Sequence, residues 1–277
     1  VRKLKTLRRT PWLAVVAIGV LVLAVAAVQA ATGPAIQTST PSSADDVTNV
    51  DVLKQQIRNY YGDPLGTGVF AADSNYAKEA ATVAADGADW LAKEAKPSHA
   101  KKLDGMPAIV LDVDDTTLAT YNYEIFSNWA FNPTTNATFV NGELFPAVPG
   151  MVQMAHDAAA EGYAIFFLTG RPTSQASATI GNLVTDASPP PAIHNGYPTP
   201  TALFTKPPVA SYPDYLQFCK TDSASGCSTT HYKTATREHI ESMGYDIVGN
   251  FGDQFSDLNG GFADKTFKMP NPSYFLP

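Results

Sequence analysis

Asp112, Asp114 and Asp115 stand within four positions directly after the apolar run Ala108-Ile109-Val110-Leu111, and Thr116 closes the cluster. A second group, Thr169-Gly170-Arg171-Pro172, follows the apolar run 163–168, and a third, Gly252-Asp253-Gln254-Phe255-Ser256-Asp257, follows 247–251. Carboxylates of this kind have two chemical uses. A single one attacks a reacting centre or exchanges a proton with it; several together hold a cation. Aiming them at one point with no cation is costly, because two such charges ~4 Å apart repel by about 4 kcal/mol at an effective dielectric of about 20. All-oxygen donors in small number suit Mg²⁺, which keeps waters and takes substrate phosphate oxygens. A calcium loop starting at Asp112 would need Gly at its sixth place and Glu at its twelfth, where the chain has Thr117 and Tyr123. The histidines and cysteines lack zinc-ligand spacing.

The elements that must position these groups are legible from periodicity. Short apolar runs at 108–111, 163–168 and 247–251 alternate with helical patterns at 151–160, 175–184 and 234–243, and 201–204 and 265–267 are weaker strand candidates. Such alternation predicts crossover units, and so an α/β fold with a parallel sheet and helices on both faces. Ligands of such sheets bind beyond the carboxyl ends of the strands, which brings the three clusters to one rim. Two helices, 52–61 and 75–95, precede the sheet; Asp73-Ser74 caps the second and Pro97 stops it.

The clusters, in this order, resemble the four motifs of the haloacid dehalogenase (HAD) superfamily of phosphotransferases. Asp112-Val113-Asp114-Asp115-Thr116 is similar to the first, Thr169-Gly170-Arg171 to the second, Tyr232-Lys233 ahead of a helix to the third, and Gly252-Asp253 with Asp257 to the fourth. The runs Tyr232-Lys233-Thr234 and Lys265-Thr266-Phe267-Lys268-Met269-Pro270-Asn271-Pro272 resemble the acid-phosphatase branch, subfamily IIIB, which includes secreted bacterial enzymes and plant vegetative storage proteins. The resemblance covers about 52–277. It implies a HAD-like Rossmannoid sheet with a small cap at about 119–148, and a small phosphomonoester substrate. Asp112 would be the nucleophile and Asp114 the proton donor and acceptor. Thr169, Gly170 and Lys233 would bind phosphate. Mg²⁺ would be held by Asp112, Asp253 and the Asp114 main-chain carbonyl, with Asp257 supporting it through water. Arg171 is an outer candidate or an ordinary salt bridge. Phosphate monoesters hydrolyse so slowly that catalysis can require about 29 kcal/mol. One group rarely supplies more than ~4 kcal/mol, so several must converge. The rival readings are transfer to an alcohol, a non-catalytic storage or binding protein, and carbon–halogen hydrolysis. The presence of Asp112 speaks against the second, and Asp114 with Lys233 and Asp253 against the third.

The insert 119–148 carries Tyr121, Tyr123, Phe126, Trp129, Phe131, Phe139 and Phe145. These rings pack the insert against the body, or one or two of them, Trp129 for example, stack on an aromatic leaving group such as a nucleoside. His231, near Lys233, is read as a surface residue.

Of 19 Lys and Arg, five lie in the first nine residues, and the remainder of the 277-residue chain, whose overall net charge is -7, is acidic. That body is a poor binder of nucleic-acid polymers, which need clustered bases. The basic start, the apolar run 12–28 and the small residues ending at Ala30 predict a secretory signal over 1–30, with an uncleaved membrane anchor as the alternative. A linker rich in Thr, Ser, Ala and Pro follows at 31–50, and one domain occupies 51–277. Export to an oxidising compartment predicts a structural disulfide between Cys219 and Cys227.

Overall fold

The computed structural model of the chain describes residues 40–95, 105–184 and 189–276. Five parallel strands form one sheet in the order β3-β2-β1-β4-β5. They are β1 (Met106–Leu111), β2 (Ala164–Pro172), β3 (Ala202–Lys206), β4 (Tyr245–Gly252) and β5 (Thr266–Lys268). The sequence of β1, Met-Pro-Ala-Ile-Val-Leu, has no polar side chain, as a central strand covered on both faces requires.

Side chains alternate across a strand, and that alternation builds two cores. Ile109, Leu111, Ile165, Phe167, Val248 and Phe251 point to one face. There they meet α1 (Val50–Tyr60), α2 (Asn75–Glu94) and α5 (Met151–Ala160), whose buried residues belong to the same cluster. Ala108, Val110, Phe166, Leu168 and Ile247 point to the other face and meet Tyr232, Ala235 and Ile240 of α7 (Thr229–Ser242). Buried Cys219 and Cys227 complete that side and are joined as a disulfide, as export predicts, with a Cα–Cα distance of 4.7 Å. In α2 the sheet comes so close at Gly87 that a Cβ there would lie 2.4 Å from Cε1 of Phe251.

The cap consists of α3 (Tyr121–Ser127) and α4 (Pro133–Asn141). Ala176–Leu183 forms α6 between β2 and β3, and the short α8 (Phe255–Leu258) follows β4.

Most expected elements appear within two residues of their predicted bounds, and two differ by more. Helix α7 begins at Thr229 rather than 234, because the Ser228 hydroxyl accepts the backbone N–H of His231 and starts the helix early. Lys233 therefore sits within a helix and not ahead of one. Strand β2 runs on to Pro172, so Thr169-Gly170-Arg171 lie in its irregular last part, where the register with β3 shifts between Leu168 and Pro172. The expected signal at 1–30, most of the linker and the Pro97 stop fall outside the described residues. Among the described residues no helix is long and apolar enough to cross a membrane.

Candidate active site

Strand register assembles the rim. Leu111 pairs with Phe167 on one side and with Phe251 on the other. Asp112, Thr169 and Asp253, one or two residues beyond these paired positions, are therefore brought to the same edge of the sheet. The Asp112 N–H donates to the Phe251 carbonyl at 3.0 Å, which extends the ladder to the first site residue. The chain then turns sharply. Asp115 adopts a φ of 52°, a conformation that Asp tolerates better than most residues, and its N–H donates to the Leu118 carbonyl at 2.7 Å. The Asp115 carboxylate is engaged by the Thr120 N–H (2.9 Å) and hydroxyl (2.5 Å), so it braces the turn instead of facing a ligand.

Carboxylate oxygens of Asp112, Asp253 and Asp257 lie within 4.8 Å of one another, and all three residues are buried. Lys233 reaches in from α7. Its ammonium donates to Asp112 Oδ1 and, at 2.5 Å, to Asp257 Oδ1. Burial alone would lower the lysine; the charges of Asp112 and Asp257 outweigh it and raise it, so the ammonium is retained. Three carboxylates against one ammonium leave a negative excess in a low-dielectric place, and a divalent cation would offset it.

The oxygens already taken indicate where such a cation fits. Asp257 Oδ2 accepts the Gln254 N–H at 2.9 Å, so both oxygens of Asp257 serve protein donors. Asp253 Oδ2 accepts from Gln254 Nε2 (2.6 Å) and Asn271 Nδ2 (2.7 Å). Among the described residues its Oδ1 has only the Thr116 hydroxyl, at 3.5 Å. The oxygens open to a ligand are thus Asp253 Oδ1 and Asp112 Oδ2. Burial, reinforced by Asp257 and Asp115, pushes the Asp253 carboxyl up to about 8. Burial likewise raises Asp112 well above the usual carboxylate range; Lys233 opposes this, while Asp257, Asp253 and Asp114 add to it. Gly252 makes the turn possible, since a Cβ there would stand 2.4 Å from the Asp257 Cβ.

Asp114 is set apart from this trio. Its carboxylate receives Arg171 as a fork: Nη2 at 2.7 Å and Nε at 3.2 Å to Oδ1, and Nε at 3.1 Å to Oδ2. Arg171 is in turn fixed by the Thr179 hydroxyl at 3.0 Å and by the Phe145 ring, 5.4 Å from its guanidinium carbon. The salt-bridge reading of Arg171 holds, and its partner is a site residue. Thr169 is fully buried and its hydroxyl accepts the Arg171 N–H at 3.1 Å. Gly170 between them is exposed. His231 is exposed and pairs with Asp222 at 2.6 Å, away from the rim chemistry.

Three supporting residues were not singled out from the sequence. Asn271 and Gln254 orient Asp253, as above. Arg237, one helical turn after Lys233, donates to the main-chain carbonyls of Asp257 (2.5 Å), Asn259 and Gly261, and so fixes the loop that carries Asp257. Its spacing of four from Lys233 was the available signal. Glu124 of α3 is buried, and burial together with the Asp114 charge pushes its carboxyl up to about 7.

The cap aromatics divide into two sets. Tyr121 stacks on Tyr61 with centroids 4.0 Å apart, and Phe139 packs against Phe145, so these are packing residues. Trp129 is half-buried, with Lys54 and Arg58 over its ring at 5.7 and 5.8 Å. It therefore takes the packing reading instead of the stacking one. Phe126 and Phe131 are the exposed rings.

An all-parallel α/β sheet with a buried carboxylate trio and a lysine at its carboxyl rim is a Rossmann-like architecture whose site suits a phosphoryl group and a cation. The chain belongs to the HAD superfamily, subfamily IIIB (acid phosphatase), whose family model matches residues 22–277. It is 31% identical over 185 residues to the stem 28 kDa glycoprotein of Glycine max, covering 64% of this chain and 64% of that protein. It is 27% identical to acid phosphatase 1 of Solanum lycopersicum, over 62% of this chain and 60% of the relative. These matches span less than two thirds of the relatives' lengths. The crystal structure of the class C acid phosphatase from Bacillus anthracis with tungstate bound shares the fold, with a TM-score of 0.55 at 20% identity, over 82% of this chain and 87% of that one.

Proposed function

We propose that the chain is a secreted, Mg²⁺-dependent acid phosphatase that hydrolyses small phosphomonoesters through an aspartyl-phosphate on Asp112. The observation that carries this reading is Asp112 itself: a buried carboxylate at the end of the central strand, with Lys233 on one oxygen and Asp253 and Asp257 within 4.8 Å. Export rests on residues 1–30 and linker residues 31–50, ahead of a single catalytic domain over 51–277, and the Cys219–Cys227 disulfide supports it.

In this mechanism an Asp112 oxygen attacks phosphorus and the bond to the leaving oxygen breaks. Asp114 gives that oxygen its proton. Water then attacks the same phosphorus, Asp114 takes a proton from it, and the bond to Asp112 breaks to release phosphate. Lys233 and the main chain at Thr169-Gly170 hold the equatorial oxygens. Asp112 and Asp253 would hold Mg²⁺, helped by the Asp114 main-chain carbonyl, with Asp257 acting through water because its own oxygens are taken. When bound, the ion supplies positive charge against the phosphoryl oxygens. The exposed rings of Phe126 and Phe131 make nucleoside monophosphates one suitable substrate.

The basic test is release of phenol from phenyl phosphate by the purified protein. Turnover should vanish in chelator and return with MgCl₂. Turnover that persists unchanged in chelator would remove the metal from the reading.

A pH signature accompanies the metal. In the metal-free protein the Asp253 carboxyl, at about 8 in the fold against the ordinary value of 3.8, binds a proton that the unfolded chain has already lost. The stability this gives is complete below about pH 4 and is lost as pH rises through about 8. The cation displaces that proton, so metal affinity rises with pH. The increase in melting temperature on adding MgCl₂ should therefore be larger at pH 8 than at pH 5. An increase equal at both would show that no such proton is displaced.

Arg171 aims Asp114. Arg171→Met removes the fork while leaving Asp114 in place, and should lower kcat by on the order of 10²-fold for alkyl phosphates, whose leaving oxygen needs a proton. p-Nitrophenyl phosphate, with a leaving group stable as an anion, should lose far less. Equal losses on the two substrates would mean that Arg171 acts elsewhere.

A further inference from the structure

A groove of about 740 Å³ opens beside the rim, next to the turn at Thr173-Ser174 that packs against cap helix α4. Its mouth is Gly170, between the buried Thr169 and the arginine that holds Asp114. An added Cβ at Gly170 would meet nothing within 4 Å, so the mouth is open. The walls are Pro172, Pro207, Pro208 and Val209, and the charged member of the lining is Lys206. The volume is in the range of small-molecule sites, which combine apolar walls with a few placed polar groups.

Lys206 is half-buried and has an unusual set of partners. Its ammonium donates one hydrogen bond, at 2.6 Å, to the Cys227 carbonyl. Among the described residues no carboxylate lies within ion-pair distance of it. Asp222 is the nearby acid and raises it, against the larger effect of burial, but that carboxylate is committed to His231 (2.6 Å) and to the Ser228 N–H (3.0 Å). An ammonium has three donors, so two are left for a ligand. Sheet register gives the reach. Pro172 pairs with Lys206. From Leu168 to Pro172 strand β2 uses four residues where β3 uses two, so this stretch is bulged and Thr169 stands within about 7 Å of the Pro172–Lys206 pair at about 3.3 Å per strand step.

We propose that this groove is the leaving-group subsite, and that it selects phosphomonoesters whose leaving group has an apolar body ending in a second anion, a carboxylate that reaches the Lys206 ammonium. The proposal rests on the phosphatase reading, which places the phosphoryl group at Asp112 and Thr169. The apolar walls take the body, and Lys206 takes the anion as a charge-assisted contact.

The test compares two phosphonates that cannot be hydrolysed: benzylphosphonate, and its analogue bearing a 2-carboxyethyl group para to the phosphonomethyl. Their dissociation constants are measured by calorimetry on the full chain with MgCl₂. The carboxylate-bearing compound should bind about tenfold more tightly. Lys206→Met should bring the ratio near one, and Lys206→Arg should keep most of it. Because Lys206 also holds the Cys227 carbonyl, Ser225→Glu serves as a second variant: Ser225 lines the same groove, and a carboxylate there should reverse the preference without touching that contact. A ratio near one in the wild-type protein, or a tenfold ratio that survives both Lys206→Met and Ser225→Glu, overturns the subsite. Failure of the phosphatase reading is seen separately, as phenyl phosphate turnover unchanged by Asp112→Asn.

Discussion

Asp112→Asn should abolish hydrolysis of phenyl phosphate, by on the order of 10⁴-fold or more, while leaving the protein folded. The amide is neutral and a far weaker nucleophile, and no other described carboxylate is placed to substitute. Asp253 has one oxygen held by Gln254 and Asn271, and both oxygens of Asp257 are engaged. Asp114 is forked to Arg171. The stability side is equally specific. Asp112 is buried, and burial with three neighbouring acids raises it despite Lys233. Removing that charge relieves repulsion, so the variant in chelator should melt no lower than the wild type, as happens where a site holds residues for chemistry at the expense of stability. Steady-state assays and thermal melts on the same preparation check both halves. Full activity would end the covalent mechanism, and a large drop in melting temperature would show that Asp112 is chiefly structural.

Lys233→Met has the opposite stability sign. It leaves Asp112 and Asp257 buried and facing each other with no ammonium between them. Breaking a buried pair by removing one partner costs about 3–5 kcal/mol, or roughly 10 °C in a protein of this size. Activity falls as well, because the phosphoryl oxygens lose their lysine. The double variant Lys233→Met with Asp257→Asn separates the effects. It should recover most of the melting temperature and none of the activity. A single variant that melts with the wild type would mean that the ammonium contributes little to the fold.

The site also gives Asp257 two contacts beyond the support of a metal through water that its sequence position suggests. A carboxylate four residues after Asp253 reads as part of the metal shell. In the fold it is the counter-charge for Lys233 and the acceptor that closes the turn after β4, and only Gly252 lets it approach. Arg171 was similarly ambiguous as a motif residue. Its partner, Asp114, lies 57 positions away, and nothing local to either residue names the other.

Periodicity and composition determined a good deal by themselves. Apolar runs alternating with helical patterns fixed the parallel sheet, because buried strands and amphipathic helices leave different spacings. Acids placed directly after those runs fixed the rim, because ligands of such sheets gather at the carboxyl ends of the strands. Asp112 and Asp253 could therefore be named before any coordinates. Tertiary structure alone decided which oxygen each donor takes, which rings of the cap stay exposed, and that Lys206, with no carboxylate at ion-pair distance among the described residues, lines a groove beside the site. Those features depend on strand register and on contacts between residues far apart in the chain, such as Lys233 with Asp112 across 121 positions. A local pattern records what each segment buries, and the global packing settles which segments then face one another.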